Sequence, residues 1–171
     1  GLSGAQALNY TLSAVSATDL ADITAKSVTP AVVANNKVYD GNTNATLSSL
    51  TLTGVVSPDV VTLTNSAAGF ASATVGTGKT VTAIGLGLSG AAAGNYTLSA
   101  VSATDLADIT AKTVTPAVVA NDKVYDGNTN ATLSSLTLTG VVAPDVVTLT
   151  SSAASFASAT VRSEERRVGK E

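Results

Sequence analysis

The chain has 171 residues, 44% of them apolar and 12% charged, with a net charge of −3 and no histidine, cysteine, methionine or tryptophan. Without imidazole or thiol it lacks the usual general base near neutrality, the thiolate nucleophile and the zinc ligands, so no enzyme, no cofactor and no metal centre is expected. The negative sign disfavours nucleic-acid phosphates and anionic membrane surfaces as partners.

In chain order, Gly1–Ile23 carries "NYTLSAV", which reads as a closing strand. It is followed by "SATDLAD", the one stretch that reads as a helical turn, with Ser16 or Thr18 as its cap. Ile23–Val33 ("ITAKSVTPAVV") reads as an extended segment, and Pro30 points to an edge strand because proline cannot donate to a ladder. "KVYDGNTN" follows from Lys37. Leu47–Val56 and Val60–Thr64 flank "SPD" and read as a hairpin, with Pro58 preset for the turn. Phe70–Val75 and Thr80–Leu88 are two further strands joined through a glycine-rich hairpin turn, "GTG". Thr80–Thr104 has no charge, yet Thr, Ser, Asn and Gly interrupt every apolar run, so membrane insertion is not expected.

At that point the chain repeats. "NYTLSAVSATDLADITAK" at Asn9 returns at Asn95, and "KVYDGNTNATLSSLTLTGVV" at Lys37 returns at Lys123, both 86 residues later. Laid on Gly87–Val161, Gly1–Val75 differs only at Gln6/Ala92, Leu8/Gly94, Ser27/Thr113, Asn36/Asp122, Ser57/Ala143, Asn65/Ser151 and Gly69/Ser155. This period is too long for a solenoid coil and suits a small independent domain. Short strands rich in Thr, Val and Ile, with turn signals between them, predict an all-β fold of tandem small β-sandwich (Ig-like) units. The expected divisions are the end of a preceding unit at 1–23, a complete unit at 24–109, a truncated unit at 110–161 and a tail at 162–171.

The tail breaks the repeat in mid-unit. "RSEERRVGKE" (Arg162–Glu171) holds every arginine and every glutamate of the chain. It also matches an in-frame translation of a common sequencing-library adapter, and is expected to be non-native read-through. With no methionine, the chain is expected to be a mature or clipped fragment.

Three motifs invite chemistry and fall short. "GTGKT" (Gly76–Thr80) resembles the end of a phosphate loop, but Ala73 stands where the first glycine is required and the following residues read as strand. "DGNTN" (Asp40–Asn44, repeated at Asp126–Asn130) alternates oxygen ligands as a calcium loop does, but Ala45 and Thr51 stand at the places that need glycine and glutamate. A tight turn explains it better, with Asp40 accepting a backbone amide two residues on and Gly41 at positive φ. Asp19 and Asp22 read as a solvated pair, and the "NYT" and "NAT" triplets at Asn9, Asn95, Asn44 and Asn130 are assigned only turn and strand roles.

"KVYDGNTNATL", then "GTGKTVTAIGLGLSGAAAGNYTLS" and "DITAKTVTP", resemble the YDG repeat of bacterial surface proteins of the filamentous-haemagglutinin adhesin type, over Gly1–Val161. The resemblance puts the family signature on Tyr39-Asp40-Gly41, on its copy Tyr125-Asp126-Gly127, and on Gly94-Asn95-Tyr96. Leu8 replaces the glycine in the first copy of the last triplet, so that turn is expected to differ. Tyr39 is expected to anchor a strand corner in the core. The resemblance implies a secreted protein, exported across the outer membrane of a Gram-negative bacterium, serving at the cell surface as a stalk that presents a binding region. Its expected partners are neighbouring repeat units and a host-surface glycan or protein. Direct glycan or host-protein binding, or an accessory role beside a secreted hydrolase, are the alternatives.

Overall fold

The computed structural model describes residues 1–161; the tail expectation, Arg162–Glu171, lies outside them. Within them the regular structure is all-β, apart from two three-residue 3-10 turns at Ala7–Asn9 and Ala93–Asn95. No described helix is long and apolar enough to cross a membrane.

One complete sandwich runs from Lys26 to Thr110. Its strands are β1 (Lys26–Ala34), β2 (Lys37–Val38), β3 (Leu47–Thr53), β4 (Thr62–Thr64), β5 (Ala67–Phe70), β6 (Gly76–Ile84), β7 (Gly87–Ser89), β8 (Tyr96–Leu98) and β9 (Ser102–Thr110). One sheet has the order β3-β1-β8, the facing sheet β2-β9-β6-β5, and β4 pairs with β7 in a small third ladder. Most ladders are antiparallel. The first strands, however, meet the last in parallel: Lys26–Val28 against Tyr96–Leu98, and Lys37–Val38 against Ile109–Thr110. The unit is thus closed by its own C-terminal end.

The strand patterns explain the burial. Along β1 the side chains of Val28, Pro30 and Val32 point inward while Thr29, Ala31 and Val33 face out, the two-residue period of a half-buried strand. Val32, Leu63, Ala83 and Leu86 join the sheets at one level of the core, and Phe70, Val81, Ala107 and Ile109 at another. Alanines at the centre of the core keep it thin.

Several sequence expectations change at the level of pairing. Leu47–Val56 and Val60–Thr64 do not form a hairpin: β3 pairs with β1, and β4 with β7. The link between them crosses from one sheet to another through a turn closed by Asp59 N–H donating to Val56 O at 2.8 Å. "GTG" is a bulge inside β6, where register shifts against β9 between Gly76 and Lys79, rather than a hairpin turn. The predicted strand Thr80–Leu88 breaks at Gly85, whose φ of +62° suits glycine and separates β6 from β7. β1 pairs with β8 over Lys26–Val28 and with β3 from Thr29 onward, so at Pro30 only the β3 side is paired.

The second unit forms part of this fold. β10 (Thr115–Ala120) and β11 (Leu133–Thr139) pair with the same register as β1 and β3, from Thr115↔Thr139 to Ala120↔Leu133. Residues 1–25, apart from their 3-10 turn, hold no regular structure and are almost wholly exposed.

Candidate functional site

The YDG loop grows out of β2, and a lysine organises it. Lys37 Nζ lies 2.6 Å from Asp40 Oδ1 and donates to Asn42 O at 2.9 Å, Asn42 Oδ1 at 3.2 Å and Asn44 O at 3.0 Å. The ammonium also sits 5.6 Å from the centre of the Phe70 ring, within cation–π range. Asp40 Oδ1 accepts the Asn42 N–H at 3.2 Å, and Asn42 Oδ1 accepts the Asn44 N–H at 2.8 Å. Gly41 takes φ +80°, which a side chain would oppose. Lys37, and after it the Asn42 N–H, hold the Asp40 carboxyl below the usual carboxylate range. These oxygens converge on the lysine ammonium, so the loop carries its own cation where the calcium pattern would place a metal. No group of three or more metal-ligating side chains occurs among the described residues.

The copy is built the same way in a unit that has only part of its sandwich. Lys123 Nζ meets Asp126 Oδ1 at 2.7 Å, Asn128 O at 3.0 Å, Asn128 Oδ1 at 2.9 Å and Asn130 O at 3.0 Å, with Phe156 5.9 Å away. Gly127 has φ +78°, and Asp126 is held low by Lys123 and then by the Asn128 N–H. The lysine clamp is local, joining groups within seven residues, and in both copies Thr43 O or Thr129 O also accepts the N–H of Phe70 or Phe156 at 2.7 Å, which ties the loop to the strand behind it.

Tyr39 reaches the core with its ring only, and its hydroxyl goes elsewhere. Its ring packs beside the Phe70 level of the core and is half-buried, while its hydroxyl leaves the unit and donates to Asp145 Oδ2 of the second unit at 2.6 Å. That bond to a carboxylate raises the Tyr39 pKa. Around it lies an apolar cavity of about 240 Å³, walled by Tyr39 and Val75 on one side and by Lys112, Val114, Val142 and Val147 on the other. Its counterpart Tyr125 is 65% exposed. The same aspartate position has a second use inside the complete unit. Tyr96 is buried, donates to Asp59 Oδ2 at 2.6 Å, and accepts the Val56 N–H at 3.1 Å. The bond to Asp59 raises the Tyr96 pKa, and the ring locks the crossing link onto β8.

The sequence carries two matches to the YDG domain model, at residues 24–104 and 110–168, together most of its length. The chain belongs to the YDG domain family. No curated protein and no solved structure matches it significantly.

In the YDG unit the remaining motif residues serve as braces. Gly94 and Asn95 form the 3-10 turn that delivers Tyr96, and the Leu8 version has the same geometry: Tyr10 leaves its turn at φ −131°, ψ 153°, and Tyr96 at φ −131°, ψ 155°. The expected difference does not arise, because a Cβ at Gly94 would meet nothing within 4 Å. The copies of Asp19 and Asp22, Asp105 and Asp108, lie on β9 instead of a helical turn. Asp105 Oδ2 accepts the Ala34 N–H at 2.8 Å, which with the Leu106 N–H depresses its pKa, and Asp108 Oδ1 accepts the Gly78 N–H at 2.8 Å. That last bond puts a carboxylate where the phosphate-loop reading needs an anion, and Lys79 turns away to Ser72 Oγ at 2.6 Å. Lys37, Asp59 and Asp145 were missed by sequence reasoning. The signal for Lys37 was its three-residue spacing from Asp40; the aspartates pair over distances that sequence spacing does not reveal.

Proposed function

We propose that the chain is a repeat-region segment of a large secreted bacterial cell-surface adhesin, in which YDG units act as a stalk that spaces a binding region from the outer membrane. The observation that carries this reading is the joint between units. β9 passes into β10 through residues 111–114 alone, and Tyr39 of one unit hydrogen-bonds Asp145 of the next. A short link with a side-chain tie favours a semi-rigid string over freely jointed beads. The chemistry on offer is structural: ammonium-to-oxygen clamps and tyrosine-to-carboxylate ties, with neighbouring units as the partners served.

Recombinant arrays with increasing numbers of complete units test this by small-angle scattering. The maximum dimension should rise in proportion to copy number, and cell adhesion should survive removal of one unit when another unit of unrelated sequence restores the length. Adhesion lost despite restored length would favour direct glycan or host-protein binding, and a compact array would end the stalk reading.

A further inference from the structure

The sheets of the complete unit end in edge strands, and all but one are either short or covered. β2 has two residues and β8 three, too few to template a further strand. β5 is covered by the YDG loop: Ala45 N–H donates to Ala68 O at 3.0 Å, Phe70 N–H donates to Thr43 O at 2.7 Å, and Asn44 bridges to Gly69. β3 is the exception. Among the described residues it pairs with β1 alone; β4 packs Leu63 into the same level of the core, but its ladder is with β7. Charge does not guard this edge either, since no Lys, Arg, Asp or Glu occurs between Asp40 and Asp59. Ser48 is the extra residue of a bulge opposite Val33 and Ala34, and Ser49–Thr53 runs regularly beyond it. Leu50 and Leu52 are only half-buried there, while their partners on β1, Val32 and Pro30, are buried.

We propose that β3 of one copy pairs antiparallel with β3 of a second copy, about a two-fold axis through Thr51, so that chains associate side by side. The strand is its own complement in that register. Leu50 stands opposite Leu52 on the core side, so each core continues into the other. On the outer side Ser49 stands opposite Thr53 and Thr51 opposite Thr51, and hydroxyl pairs of this kind are favourable cross-strand neighbours. This register uses all of Ser49–Thr53; an axis through Leu50 would draw in the bulged Ser48, and one through Leu52 would draw in Gly54. The contact is closed by its symmetry and joins two three-stranded sheets edge to edge. A second copy suits the edge because the chain's net charge of −3 lies elsewhere, so like chains meet here without repulsion. β11 repeats the same seven residues in the same register against β10, so each chain brings two such edges, and two weak contacts reinforce each other.

Repeats joined before and after leave this edge free. The second unit meets the complete one at Tyr39 and Val75, and touches them with Gly140–Val142, Asp145 and Val147. A preceding unit joined in the same way meets the complete unit 86 residues earlier, at Gly54–Val56, Asp59 and Val61. Neither joint includes Ser49–Thr53. β3 therefore runs along the line of the joints, from the YDG loop, where a Gly41 Cβ would lie 3.1 Å from Val142 Cγ1, to Gly54 at the other end. Antiparallel pairing sets two arrays pointing in opposite directions, the arrangement of stalks that reach from two facing cells. That last step rests on the stalk reading. The pairing does not, and its failure in solution would leave the stalk intact.

The test uses the full chain in sedimentation velocity from micromolar concentrations upward, where dimers and larger species should accumulate with concentration. Thr51 and Thr137 are exposed, so charges placed there leave each unit's own fold in place, as unchanged melting curves should verify. The chain carrying both Thr51→Lys and Thr137→Lys sets like charges opposite each other and should associate about tenfold more weakly or worse. The chain carrying Thr51→Asp and Thr137→Asp should behave likewise, and an equal mixture of the two should recover association, because lysine then faces aspartate. Thr51→Cys should give a covalent dimer on oxidation, since directly opposite residues lie within disulfide range. Thr29→Cys, on the same outer face but one strand in from the edge, should not. A chain that stays monomeric throughout, association indifferent to the lysines, no recovery in the mixture, or equal cross-linking through Thr29→Cys would overturn the proposal.

Discussion

Ser16–Thr24 and Ser102–Thr110 are the same nine residues, SATDLADIT, in two states. The second is a nine-residue strand in which Ile109 is 1% exposed; the first has no regular structure, and Ile23 is 102% exposed. Nothing local distinguishes them. The second copy has β6 on one side and β2 on the other, and the first has neither. Strand formation in this protein is therefore decided by the neighbouring backbone and by the apolar face it offers, with intrinsic preference a minor influence. The YDG loops teach the converse. They are alike in a complete and a partial unit, because the lysine and its oxygens lie within seven residues and both units keep the bridge from the loop to the phenylalanine segment.

The sharpest way to break this comparison is to cut the core in one unit and its copy. Phe70→Ala should destabilise the complete unit by about 3–5 kcal/mol, the usual cost of truncating a buried aromatic. Phe156→Ala, at a half-buried site in the partial unit, should cost less than half as much, and urea melts of the two variants measure the ratio. Next, Ile109→Ala should cost about 2–5 kcal/mol. Ile23→Ala, in the same local sequence, should change stability by less than about 0.5 kcal/mol. Equal effects would mean that Ser16–Thr24 is packed in solution.

Gly41→Ala and Gly127→Ala come third. Both force a side chain into the left-handed region, at about 1–2 kcal/mol each. Only at Gly41 would the new methyl crowd the neighbouring unit, 3.1 Å from Val142 Cγ1, while at Gly127 it meets nothing. Scattering should therefore show a changed angle between units in the Gly41 variant alone.

The smallest effects are in pH. Asp40 and Asp126 have folded pKa values below the ordinary one, so the stability they lend is fully present above about pH 4 and is lost as pH falls through the depressed values. Protection of the Asn42 and Asn128 amides, with exchange rates corrected for their intrinsic pH dependence, should fall there and stay flat from about pH 5 to 8. Tyr39 and Tyr96 shift upward, so their ties hold below about pH 10 and fail as pH rises through the raised values. Removing the hydroxyl with Tyr39→Phe should loosen the joint and leave the unit's own melting unchanged; Tyr96→Phe should lower that melting.

The all-β class, the 86-residue period and the turn at Asp40–Asn44 were legible because each is written in local pattern: alternation, self-similarity, and a carboxylate two residues before an amide. Pairing was not. Leu47–Val56 and Val60–Thr64 look like a hairpin because they are adjacent, yet each finds its partner elsewhere, the first in the preceding β1 and the second in β7. SATDLADIT has a capping residue and no breaker, so it reads as a helical turn until β6 lies beside it. Tyr39 could be recognised as important, but its bond to a residue 106 positions away could not be derived from spacing.

The lysine within each loop has a practical corollary. A protein that relies on divalent ions for rigidity softens when those ions are scavenged, whereas here the positive charge is covalently attached and cannot be chelated. The two loops should keep their shape in ion-depleted media, where a calcium-held loop would go slack.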